Sequence, residues 1–96
     1  MMRVDMAKLT LRLPHTSSLK DKRRILKSFI TKSQHDFRVA IAEVDKHDNF
    51  REAVLGISLV SNDLTHNENV LNCLVERLEA QSDIILEDQQ RDFMQL

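Results

Sequence analysis

Apolar and polar residues alternate from Val4 to Leu13, with Ala7, Leu9, Leu11 and Leu13 on one side and Lys8, Thr10 and Arg12 on the other. A period of two marks a half-buried strand. Pro14 ends it, because proline donates no ladder hydrogen bond, and His15-Thr16-Ser17 reads as a connection. The period then becomes helical: Leu19, Ile25, Leu26, Phe29 and Ile30 fall in one arc of roughly 140°. Ser18 is placed as the N-cap and Asp21 as the acid of the first turn. This helix is expected to run to about Gln34 or His35.

Alternation returns at Phe37, Val39 and Ile41 and continues through Ala42 and Val44 to about Asp45. A polar turn at residues 46–50 leads into Ala53, Leu55, Ile57 and Leu59, which alternate again. Two such runs joined by a short turn predict a hairpin. Gly56, the single glycine, lies inside the second run and points to a bulge or a close backbone approach. Ser61-Asn62-Asp63 supplies caps for a second helix, whose stripe is Leu64, Leu71, Leu74, Val75 and Leu78 and whose end falls near Ala80 or Gln81. From Ile84 to Leu96 the chain is apolar at both ends and polar between, which reads as an edge strand or one paired over part of its length. The order strand, helix, strand, strand, helix, strand predicts a ferredoxin-like α+β sandwich, with an antiparallel sheet and both helices on one face. Right-handed crossovers place strands one and three at its centre.

Composition narrows the function classes. With 96 residues, 42% hydrophobic and 30% charged, the chain suits a single domain over residues 1–96. One cysteine supports neither a disulfide framework nor a multi-cysteine zinc site. No apolar run of about 18 residues is present, and no signal-peptide core opens the chain, so no membrane partner and a cytoplasmic location are expected. Gly-rich phosphate loops, HExxH, CxxC and GxSxG are all missing, so neither enzymatic activity nor a cofactor is expected.

The net charge of −1 conceals a segregation. Residues 1–17 balance to +2 and residues 39–96 to −8, while residues 18–38 set seven basic residues against Asp21 and Asp36, a balance of +5. On the first helix Lys20, Arg23, Arg24 and Lys27 share a sector of about 100° opposite the apolar arc. Four cations on one helix face attract phosphates, and binding there would release counterions. The competing reading is a solvated face, partly neutralised by the acidic half of the chain. A pI near 6.4 and the lack of Trp and Tyr argue against base stacking, so RNA contacts would be to backbone and shape.

Several words of the sequence stand in a specific order: Ser18-Leu19-Lys20-Asp21-Lys22-Arg23-Arg24, Ala42-Glu43-Val44-Asp45, Leu55-Gly56-Ile57 and Val60-Ser61-Asn62-Asp63. Together they resemble the YlxP-like family of small bacterial proteins, over about residues 4–80. The C-terminal strand matches loosely, and a tryptophan common near that end of the family is absent. The resemblance implies a ferredoxin-like fold. Family members are often encoded beside translation initiation factor two and ribosome-binding factor A, which implies work linked to RNA or a ribosomal subunit.

Three further groups carry expectations. Lys22 falls within the apolar arc and must snorkel or pair. Strict alternation turns Glu43 inward, so a Lys22–Glu43 or Arg23–Glu43 contact is expected, unless Glu43 lies at the solvated sheet end. Glu43, Asp45, His47 and Asp48 would line a metal site only on a continuing strand, and turn-forming roles fit them better. Cys73, beside the second helix's stripe, is expected to be buried. The uncovered sheet face, with Val4, Met6, Ala40, Ala42, Val44 and Val60 among its residues, offers a surface for a homo-oligomeric interaction or regulatory module that binds a protein or small effector.

Overall fold

The alternations and helical arcs form the expected elements: β1 (Arg3–Arg12), α1 (Leu19–Phe37), β2 (Ala40–Asp45), β3 (Glu52–Ser61), α2 (Leu64–Glu79) and β4 (Ile85–Gln95). The computed structural model describes residues 1–96. All strand pairs are antiparallel in the order β2-β3-β1-β4, so β1 and β3 are central. α2 packs on β1, β3 and β4, and α1 on β2 and α2. The fold is a ferredoxin-like α+β sandwich.

The core lies between sheet and helices. Ala7, Leu9 and Leu11 of β1 meet Ala53, Leu55, Ile57 and Leu59 of β3, under Leu26 and Phe29 of α1 and Leu71, Leu74, Val75 and Leu78 of α2. β1 and β3 contribute alternate residues, as a sheet covered on one face requires, whereas β4 adds only the half-buried Leu86.

α1 begins as its cap residues dictate. The Asp21 amide donates to Ser18 Oγ at 3.1 Å, and the Asp21 carboxylate accepts from the Ser17 hydroxyl at 2.9 Å. The helix extends past its expected end. Phe37 is helical rather than the first residue of a strand, and Arg38 terminates the helix in the left-handed conformation, φ 54°, its amide donating to Gln34 O. Glycine normally takes that position, and an arginine there leaves no mark in the hydrophobic pattern.

Lys22, on the inner side of α1, is wholly buried. Its ammonium donates to Lys46 O at 2.8 Å and Glu52 O at 3.0 Å and lies 2.8 Å from Glu43 Oε2. Strict alternation does carry Glu43 inward, opposite Leu55. One ammonium therefore ties the first turns of α1 to both ends of the β2–β3 turn, which fixes the rotation of the helix. The register shifts between Glu43 and Asp45, leaving Val44 as the extra residue. Its methyl closes on Gly56, where an added Cβ would sit 2.9 Å from Val44 Cγ1.

A second polar cluster joins β1 to α2. Arg3 donates twice to the Asp5 carboxylate, at 3.1 and 3.2 Å, and Asn67 Nδ2 donates to it at 2.7 Å. Ser61 in turn donates to Asn67 Oδ1 at 2.7 Å. Asp63 caps α2, accepting from the amides of Thr65 and His66. β4 pairs with β1 along its whole length, interrupted by one register shift between Thr10 and Leu11.

Candidate nucleic-acid interface

With Lys22 locked beneath it, α1 presents the opposite side to solvent. Lys20, Arg23, Arg24 and Lys27 are all exposed. Of these, only Arg24 meets a carboxylate, Asp21 of its own helix at 3.6 Å, and its side chain stays 78% exposed. No acid of the second half forms an ion pair with the stripe; those that pair do so as Glu43 with Lys22, Glu52 with Lys46 and Glu87 with Arg12. Hydrogen bonds from the Ser17 hydroxyl and amide hold the Asp21 carboxyl below its ordinary value, with a smaller contribution from Arg24.

A furrow runs along this helix between Arg24, Lys27, Ser28, Thr31 and Lys32. It adjoins a cleft between the helices, lined by Arg24, Ile25, Ser28, Phe29, Lys32, Arg77, Gln81 and Asp83. Lys32 and Arg77 extend the basic surface beyond the four residues that the helical wheel singles out. Lys32 lies outside that sector, and Arg77 comes from α2, so only the packing of the two helices brings them together. Arg77 donates to Asp36 at 2.6 Å and stacks over Phe37, its guanidinium carbon 4.6 Å from the ring centre. The His35 hydrogen bond, then the Arg77 bond, keep Asp36 below the usual carboxylate range.

The remaining candidates separate. Glu43 faces Lys22, while the Asp45 carboxylate accepts from the Lys46 amide and the His47 ring contacts Glu43 O. The strand ends at Asp45, so these residues do not line one face as metal ligands would, and no cluster of three ligating side chains forms. Cys73 is exposed, contrary to its expected burial, because α2 turns that position away from the stripe. No helix is long and apolar enough to cross a membrane.

The uncovered sheet face holds a shallow trough of ≈ 680 Å³. Ala40, Ala42, Gly56 and Ser58 line it, with Met6, Lys8 and Val44 beside them. Val44 is 50% and Val60 62% exposed.

Known proteins resemble this chain at two levels. A de novo designed protein, Foldit4, superposes with a TM-score of 0.60 at 9% identity, covering 100% of this chain and 99% of its own. An amidase of the hydantoinase/carbamoylase family from Burkholderia phymatum superposes with a TM-score of 0.56 at 14% identity, over 98% of this chain and 28% of the amidase. At such identities both likenesses concern the fold alone. In sequence, the uncharacterized protein YlxP of Bacillus subtilis (strain 168) is 32% identical over 63 residues, which is 66% of this chain and 68% of that protein. The family model described as "Protein of unknown function (DUF503)" matches residues 4–91, nearly the whole sandwich. The chain therefore belongs to the DUF503 family, the YlxP-like proteins whose motifs its sequence carries.

Proposed function

We propose that this protein is a non-enzymatic RNA-binding protein, associated with RNA or a ribosomal subunit through the exposed basic face of α1. One observation carries the reading: Lys20, Arg23 and Lys27 make no ion pair within the chain, and Arg24 makes only a long one on its own helix. Unpaired cations aligned on one helix face attract phosphates, and the counterions released on contact drive binding. Phosphate contacts position a protein on RNA without reading sequence, so binding through this face would be shape-selective. Pull-down from cell lysate with and without nuclease tests the reading. Retention of RNA or a ribosomal subunit, lost when Lys20, Arg24 and Lys27 are all reversed to Glu, is the expected result. Equal retention by wild type and variant would refute it.

The open sheet supports a second reading, a homo-oligomer formed face to face. Lys8 and Arg12 of β1 share that face with Asp88 and Asp92 of β4, set opposite Thr10 and Met6 in the register. A twofold axis through the trough would match the basic row of one copy with the acidic row of the other, around Met6 and Val44. Light scattering at high micromolar concentration distinguishes the readings. A dimer that Val44→Glu converts to monomer supports the second, and a monomer throughout eliminates it.

A further inference from the structure

The cleft between α1 and α2 collects hydrogen-bond donors from both helices. Arg24, Ser28 and Lys32 recur every four residues along α1, so successive side chains step round the helix toward α2. Arg77 comes from the last turn of α2, and Gln81 follows just beyond it. Ile25 and Phe29 supply apolar surface, and Asp83 is the one acid among the lining residues. Three cations thus line the cleft with Asp83, Arg77 being paired besides with Asp36 and Arg24 loosely with Asp21, beside apolar surface where charge interactions are stronger than in open water.

Two of these cations are poorly satisfied within the chain. Lys32 takes part in no ion pair. Arg77 commits Nη2 to Asp36, yet its Nη1 is buried and lacks any hydrogen-bond partner. Lys32, exposed along the cleft, is the cation left free to meet an anion there. The stacking of Arg77 on Phe37 and its tie to Asp36 hold the guanidinium in place beforehand. The volume, ≈ 230 Å³, is below the roughly 300 Å³ at which whole-ligand pockets begin. It suits a group rather than a complete cofactor. The cleft also shares Arg24, Ser28 and Lys32 with the furrow along α1.

We infer that a phosphate group seats in this cleft, held by Arg24, Lys32 and Arg77, while the adjoining phosphates of an RNA strand follow the furrow. The inference deepens the RNA reading and rests on it for the source of the phosphate. Lys32 supplies a mobile point charge, while Arg77, its fork already tied to Asp36, adds positive charge at the cleft wall.

Titration of the ¹⁵N-labelled chain followed by NMR tests it, with inorganic phosphate in one arm and a short single-stranded RNA in the other. Both ligands are expected to shift the Ser28 and Gln81 amides saturably. Lys32→Gln, at an exposed side chain with no internal partner, should weaken both by about threefold to tenfold. Lys8→Gln, on the open sheet, should change neither. RNA binding with shifts confined to the outer face of α1, and none from phosphate, would overturn the inference and leave the RNA reading intact. Saturable phosphate binding at the cleft without any RNA binding would overturn the RNA reading, and with it the assignment of the phosphate to a nucleic acid.

Discussion

Lys22 shows how one residue can decide the placement of a functional surface. An ammonium with no exposed area is tolerable only when its charge is paired and its protons are bonded. Here two carbonyls and the Glu43 carboxylate meet both needs. Lys22→Met should therefore cost about 3 kcal/mol in urea unfolding, because it strands a carboxylate that is itself only 19% exposed. Adding Glu43→Leu should recover part of that loss, and a double-mutant cycle would show the coupling. Asp5 offers a test by pH. Burial pushes its carboxyl up, but bonds from Arg3 and Asn67 outweigh burial and leave it below 3.8. A carboxyl depressed on folding adds stability that is complete above the ordinary value and fades as pH falls through the folded one. Asp5→Asn should accordingly flatten the fall in stability below about pH 4, read from thermal unfolding across an acid series.

The elements differ in how openly the sequence declares them. Alternation around Val39, Ile41 and Glu43 announced β2 and also the inward turn of Glu43, because a period of two leaves a strand residue no third direction. The end of α1 was hidden, since Arg38 occupies a left-handed position where glycine would have been legible. β4 was only half legible for a different reason: an edge strand needs backbone pairing with β1, which polar side chains do not betray. The basic stripe was readable from one helix, whereas the cleft was not, because Arg77 joins it through the packing of two helices. Gly56 was readable as a close approach, and Val44 explains it. Gly56→Ala should destabilise by about 1–2 kcal/mol through crowding against the Val44 methyl. Val44→Ala should relieve most of that loss in the double variant, measured by the denaturation midpoint.

At the scale of the molecule, three long strands make a body of 45 × 21 × 19 Å, with the charge of α1 set along one flank. Internal ion pairs absorb three acids of the second half, Glu43, Glu52 and Glu87, without touching Lys20, Arg23 or Lys27. The −1 net charge is therefore a sum that leaves those three cations of α1 without an ion pair, and a local field can attract phosphate despite an acidic whole. Such binding is electrostatic and must weaken steeply with salt, unlike association through the apolar sheet face. The decisive measurement is the slope of log affinity for single-stranded RNA against log salt concentration. It should be compared between the wild type and a variant carrying Lys20→Gln, Arg24→Gln and Lys27→Gln. Each lost phosphate contact removes about 0.7 from the slope, so the three substitutions should flatten it by about 2. An identical slope in the two proteins would contradict RNA binding through α1.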